Sequence, residues 1–213
     1  MLILGIIGCG GRNVRSADSQ KAKLKTGSIA VICGTVDQKD LRLADEISRQ
    51  LKKETSFKVI SQEEISQKIP QYPMHFIESQ PSNTDRWSIS TSQLSEENIQ
   101  RLNKVQKILK ADYIFLVWDS ELTTTYGDET CCFDWTGFLG GNKCQLYVPV
   151  RVVQYPAKEV AAFKNYTRTD TYSVFKPLNS AIDSLIVDTA SIVTKWFVQN
   201  TEEGQLKKAN STR

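Results

Sequence analysis

The side chains best suited to chemistry in this 213-residue chain are five cysteines, one histidine and a short acidic cluster. Cys33 lies inside an apolar run and reads as a buried thiol. Cys131, Cys132 and Cys144 are close in sequence. A bridge from the vicinal pair to Cys144 would close a loop of about 12 residues and add on the order of 3 kcal/mol. Free thiols and a zinc site are the other readings, but adjacent cysteines lack C-x2-C spacing and His75 is far away in sequence. Asp119, Glu121, Asp128, Glu129 and Asp134 could supply a carboxylate pair for acid/base work, or simply keep a strand end and loop soluble. A Ser or Cys nucleophile needs a base within reach, and His75 sits between prolines with no motif around it. Phe138-Leu139-Gly140-Gly141-Asn142-Lys143 lacks the Lys-Ser/Thr ending of a phosphate-binding loop and reads as a turn. These residues call for no cofactor and no metal, so the chain reads as a binder and not an enzyme. The alternative is a small soluble α/β enzyme using Asp119, Asp128 and Asp134.

Cys9 stands apart, because Leu2-Ile3-Leu4-Gly5-Ile6-Ile7-Gly8 is apolar without interruption and ends at this thiol. The run is far below the roughly 20 residues of a spanning helix. Ile6-Ile7-Gly8-Cys9 resembles the bacterial lipobox, in which a small residue precedes a cysteine that is acylated on sulfur, for instance with palmitate, and becomes the mature N-terminus. No Lys or Arg precedes the run, where a signal peptide ordinarily carries positive charge. Two other readings share these residues. One is a plain signal peptide. The other is a dinucleotide-type glycine turn, which needs a packed helix that residues 13–21 do not pattern. With Cys9 as the lipid attachment site, Gly10 to Gly27 is a flexible tether carrying Arg12, Arg15, Lys21, Lys23 and Lys25. Gly10, and not Asp, follows the cysteine, and in Gram-negative lipoproteins that resemblance implies the outer membrane and its periplasmic face.

A leader of 9 residues, a tether over 10–27, one α/β domain over 28–200 and a polar tail over 201–213 account for the chain. Net charge is +3, and no basic cluster is interleaved with aromatics, so no nucleic-acid partner is expected.

Ser28 to Cys33 and Asp112 to Trp118 are continuous apolar runs of strand length, predicted to lie centrally and be buried on both faces. Asp37 caps an amphipathic helix with Leu41, Ala44, Ile47 and Leu51 inward and its Lys, Arg, Asp and Glu opposite. Phe57 to Ile60 is a second strand, and Ser61 caps a short helix from Gln62. Residues 69–94 form a long loop with Trp87. Ser95-Glu96-Glu97 starts a helix with Ile99, Leu102, Val105 and Leu109 on one face. Glu121 to Lys143 is a long connection with Tyr126, Phe133, Trp135 and Phe138. Leu146, Val148, Val150 and Val152 alternate with polar positions as a half-exposed antiparallel strand, which Pro149 places at an edge or bulge. Val160 to Tyr172 is its partner, and Pro177 begins the last helix. The pattern gives one mixed sheet of about five strands, two or three parallel plus an antiparallel pair, covered by amphipathic helices.

The Ile29-Ala30-Val31-Ile32 strand, the Leu43-Ala44 and Leu51 helix, Phe57-Lys58-Val59-Ile60 and Ala111-Asp112-Tyr113-Ile114-Phe115, in this order, resemble a known envelope family. It comprises the TolB amino-terminal domain, the curli-secretion lipoprotein and the penicillin-binding-protein activator lipoproteins. The resemblance covers about residues 28 to 200 and implies a TolB amino-terminal-like fold, an envelope protein as partner, and no active site. It leaves a homo-oligomer or a secretion-complex subunit open. A membrane pore needs amphipathic hairpins that Glu121 to Lys143 does not pattern. Crossing peptidoglycan needs a longer tether than residues 10–27, which contain no proline and reach some 60 Å when extended. The resulting expectation is an adaptor or assembly lipoprotein, with Tyr126, Phe133, Trp135 and Phe138 as partner anchors or as a small core beneath their own loop.

Overall fold

The computed structural model describes residues 18–20, 24–73, 94–117, 120–125, 142–173 and 176–201. The elements in chain order are β1 (Asp18–Gln20), β2 (Ser28–Cys33), α1 (Gln38–Glu54), β3 (Lys58–Ile60), α2 (Gln62–Lys68), α3 (Glu96–Leu109), β4 (Tyr113–Val117), β5 (Glu121–Thr125), β6 (Asn142–Gln154), β7 (Val160–Tyr172) and α4 (Leu178–Gln199). They build one mixed sheet of seven strands in the order β1-β7-β6-β4-β2-β3, with β5 paired to β6. β2 runs parallel to β3 and β4, while β6 is antiparallel to β4, β5 and β7. This is the expected α/β class with a mixed sheet.

The two apolar runs are central because each feeds two cores at once. Ile29, Val31 and Cys33, with Tyr113, Phe115 and Val117, pack toward α1 and α4. Ala30 and Ile32, with Ile114 and Leu116, pack toward α2 and α3. The first core is rich in aromatics: Phe57, Phe115, Trp196 and Phe197 meet edge to face, with centroids 5.2 Å apart for Phe57–Phe197 and 5.6 Å for Phe115–Phe197. Such rings combine large buried area with a favourable quadrupole contact. The second core is aliphatic, built from Ile65, Leu102, Val105 and Leu109.

Local chemistry sets the helix ends as the sequence predicts. The Asp37 carboxylate accepts from the Lys39 amide at 2.8 Å, Ser61 Oγ from the Glu64 amide at 3.1 Å and Ser95 Oγ from the Asn98 amide at 3.2 Å. Lys110 leaves α3 at φ 54°, the left-handed turn that ends many helices.

Four expectations change. Glu121 to Thr125 is a strand, not loop. Its Thr-rich sequence carries no apolar alternation, and only its pairing with Lys143 to Tyr147 reveals it. Pro149 is not at an edge: β6 is interior, with Asn165 of β7 opposite Pro149. On the other side of β6, β4 pairs from Val150 onward and β5 pairs up to Tyr147, so the proline falls in the gap between them. The expected half-exposed face of β6 holds at Gln145 and Tyr147 but closes over further along, since Pro149 is buried and Arg151 is 7% exposed, and burial pulls the Arg151 guanidinium down to about 10. Finally, the fold takes up part of the segment read as tether and the first residue of the tail. Asp18–Gln20 pairs with β7, and Leu24 is buried in the aromatic core and bridged to buried Thr201.

Candidate functional site

In open α/β sheets, ligands gather beyond the carboxyl ends of parallel strands. Here those ends belong to β2 and β4. The Gly34 amide donates to the Val117 carbonyl at 2.6 Å, which holds the two exits side by side. Between them lies Asp40, fully buried in the first turn of α1. Its Oδ2 accepts from Thr35 Oγ1 at 2.5 Å and from the Ser120 amide at 3.4 Å, and its Oδ1 accepts from Ser120 Oγ. Lys39 Nζ adds a bond to the Ser120 carbonyl at 2.9 Å and one to Asp37 at 3.1 Å. Burial pushes the Asp40 carboxyl above the usual range, against the pull of the Ser120 and Thr35 hydroxyls. The oxygens are engaged by donors of the protein itself, so the cluster ties α1 to the residue that opens β5.

The sequence placed Asp40 among the charged residues opposite the buried face of α1. The structure puts it inside. Its partners, Thr35 and Ser120, come from distant points in the chain and carry no spacing signal.

A second polar network lies on the edge of β2. β3 pairs only with Ser28 to Ala30, so β2 continues past its neighbour. Gln62 and Tyr72 stand in for the missing strand. Gln62 Nε2 donates to the Val31 carbonyl at 2.8 Å, the Cys33 amide donates to the Tyr72 hydroxyl at 3.3 Å, and that hydroxyl donates to Gln62 Oε1 at 2.9 Å. Gln62 also donates to Ser48 of α1 at 3.1 Å. Side chains here complete the backbone pairing that buried strands require. Burial pushes the Cys33 thiol up to about 12, so it is a protonated core thiol, as the sequence indicated.

Cys144 is also a free, buried thiol, and its expected bridge partners, Cys131 and Cys132, lie outside the described residues. It lies in mid-ladder between Thr124 and Asp170 and faces the aromatic core, with Sγ 3.5 Å from the Asp170 carbonyl. Beyond it, Asp170 pairs with Lys176 at 2.5 Å.

Alternation puts the other face of β5, β6 and β7 on the far side from this core. Its rows in register are Glu121–Tyr147–Thr167, Thr123–Gln145–Thr169 and Thr125–Lys143–Thr171. Thr123, Thr125, Lys143, Gln145, Thr169 and Thr171 are exposed. Glu121 of the acidic cluster is the first residue of β5. Cys9, His75, Trp87, Asp119, Tyr126, Asp128, Glu129, Cys131, Cys132, Phe133, Asp134, Trp135 and Phe138 lie outside the described residues. Among the described residues, no group of three or more His, Cys, Asp or Glu side chains could hold a metal ion, and no helix is long and apolar enough to cross a membrane.

No protein-family model and no curated sequence matches the chain. Among solved structures it is similar to the lipoprotein GNA1162 from Neisseria meningitidis, at 10% identity over 80% of this chain and 99% of that one, with a TM-score of 0.44. It is also similar to PelC from Paraburkholderia phytofirmans, a dodecamer, at 10% identity over 81% and 92% of the two chains, with a TM-score of 0.41. The rare lipoprotein B from Shewanella oneidensis matches at 10% identity over 87% and 99%, with a TM-score of 0.33. Likeness at this level leaves the role to be read from the chain's own residues.

Proposed function

We propose that this chain is a lipoprotein of the bacterial outer membrane, anchored through acylated Cys9, with its α/β domain on the periplasmic face. It serves there as a protein-binding adaptor or assembly factor without catalysis. The observation that carries this reading is Ile6-Ile7-Gly8-Cys9 at the end of an apolar run, nine residues before the first described strand. Nine residues span at most about 30 Å, so the domain stays close to the membrane that holds its lipid. The partner anchors would be Tyr126, Phe133, Trp135 and Phe138, in the segment between β5 and β6, because aromatics give large contact area at low entropy cost.

Intact mass and membrane fractionation of the natively expressed protein, with and without Cys9→Ser, test the anchor. The expected result is a mature N-terminus at Cys9 carrying acyl mass, with release from membranes in the variant. An unprocessed chain without acyl mass would overturn it. Loss of partner capture on Trp135→Ala or Phe138→Ala, with the fold intact, is the expected signature of the adaptor role.

A further inference from the structure

Hydrogen bonds gather the ends of several elements at one end of the sheet, where β2, β3 and β4 begin. Just past α1, the Lys58 amide donates to the Gly27 carbonyl at 3.0 Å, and at the end of α3, Ser28 Oγ donates to the Lys110 carbonyl at 2.9 Å. The Leu24 amide donates to the carbonyl of Asn200, which closes α4. The Tyr155 amide donates to the Asp112 carbonyl at 2.8 Å, and Asn103 of α3 holds the backbone of Ala157 through two bonds, at 2.9 and 2.7 Å. The turn between β6 and β7 therefore belongs to the same end.

Lys25, Lys52, Lys53, Lys107, Lys110 and Lys158 are all exposed there. Lys52, Lys53 and Lys107 occupy last helical turns, where the macrodipole favours cations. The dipole does not account for Lys25 or Lys158. Glu54, Asp112 and Glu159 are the acids of this end, and one Asp112 oxygen already accepts from the Ser28 amide and hydroxyl, each at 2.7 Å. None of these lysines forms an ion pair with a described residue. Toward the opposite end the cations are paired, Lys39 with Asp37, Arg42 with Asp183 and Lys176 with Asp170, and the first turns of α2 and α3 carry Glu63, Glu64, Glu96 and Glu97. The basic end also exposes two large apolar side chains, Ile108 at 40% and Tyr155 at 47%. Asn103 and Lys107 are one turn apart on one flank of α3, so Lys107 lies beside the turn that presents Tyr155 and Lys158.

We infer that this end is a docking surface for an anionic phospholipid bilayer, with the lysines meeting headgroup phosphates and Tyr155 and Ile108 entering the interfacial zone. Charge complementarity carries it, since each lysine near an anionic surface strengthens binding by a factor of about 5, and tyrosine is a side chain that bilayer interfaces favour. The inference rests on the lipoprotein reading for its membrane, and the chain's reach agrees with it. Asp18 is paired with Lys164, so it lies about 13 Å along β7 from this end. The nine residues from Cys9 to Asp18 span up to about 30 Å, enough to put an acylated Cys9 and the lysines on one bilayer. The row Thr125–Lys143–Thr171 then points away from that membrane.

Vesicle sedimentation tests the surface without the lipid anchor. The mature chain carrying Cys9→Ser is mixed with phosphatidylcholine vesicles, with and without about 40% phosphatidylglycerol, at about 0.1 M salt, where screening over ~10 Å separates near from distant charges. Binding to the anionic vesicles alone is expected. Lys107→Glu with Lys110→Glu should weaken it at least ~10-fold, and so should Lys52→Glu with Lys53→Glu on a different helix. Lys143→Glu with Arg168→Glu, the same charge change on exposed residues farther up the sheet, should leave it within ~2-fold. Thermal unfolding of each variant reports that the fold is kept. No binding by the parent, equal binding to neutral vesicles, or equal losses in all three variants overturns the inference. Binding to soluble polyglutamate with none to vesicles assigns the face to an acidic protein and also overturns it. Acylation is read separately by the mass of the native protein, so failure of the anchor and failure of the docking surface are distinguishable.

Discussion

The parallel half of the sheet, β3-β2-β4, and the antiparallel half, β6-β7-β1 with β5, are built on different terms. In the first, every residue of β4 and all but the first of β2 are buried, with helices on both faces. In the second, β6 and β7 bury one face against α4, while β5 with the adjoining parts of β6 and β7 leaves exposed rows of Thr, Gln and Lys on the other. The parallel half must therefore satisfy every polar group internally. It does so with the Asp40 cluster and the Gln62–Tyr72 pair, whereas the antiparallel half presents its threonine, glutamine and lysine rows to solvent. Stability should reside in one half and surface available to partners in the other.

The largest effect that would sharpen this contrast is a cavity in the parallel half. Phe115 is fully buried and meets both Trp196 and Phe197. Phe115→Ala is expected to cost ~3–5 kcal/mol in urea denaturation, from lost transfer energy and an unfilled cavity. A loss below about 1 kcal/mol would show that this region does not carry the fold.

Next comes Asp40. Asp40→Ala leaves the Ser120 hydroxyl and amide and the Thr35 hydroxyl without their acceptor, an expected loss of about 2–4 kcal/mol. The pH dependence has a definite sign. A carboxyl whose folded value is raised binds its proton more tightly in the folded state, so its contribution is present below the unfolded value near ~3.9 and is lost as pH rises through the folded value. Asp40→Asn removes this slope. The stability advantage of the natural chain over that variant should therefore shrink from about pH 4 upward and then level off. Asp37, Asp112 and Asp170, whose values are lowered, titrate with the opposite sign and cancel in the difference. An advantage that grows with pH would refute the burial-dominated account of Asp40.

Tyr72→Phe probes how the edge of β2 is completed. The substitution removes the acceptor for the Cys33 amide and the donor to Gln62, with an expected loss of ~1–2 kcal/mol and faster exchange of the Cys33 amide. If exchange at Cys33 does not change, water or another group serves that edge as well as the phenol does.

The same contrast explains what could be read without coordinates. Ser28 to Cys33 and Tyr113 to Val117 are legible because burial on both faces forces an unbroken apolar run. Asp37, Ser61 and Ser95 are legible because a helix start needs a side-chain acceptor at one position. β5 was missed because a strand with exposed threonines has no apolar period, and β1 because it is three residues long. Asp40 was missed because a first-turn acid ordinarily faces solvent, and nothing in the local sequence says that Thr35 and Ser120 will enclose it. Pro149 was misplaced because a proline in a strand signals an open side, which here is an internal gap between β5 and β4.

The smallest predicted effect belongs to the antiparallel half. Thr123 and Gln145 face each other across β5 and β6 in the exposed rows, where Thr123 Oγ1 makes a long bond to the Gln145 carbonyl, at 3.5 Å. Truncating both to Ala removes β-branching at one position and little else, so the double variant should stay within about 0.5 kcal/mol of the parent in urea denaturation. A loss of partner capture in this variant at unchanged stability would locate a binding surface there. If the variant instead loses more than about 1 kcal/mol, the rows are packed against something that holds the fold, and the division between a stabilising half and a presenting half fails.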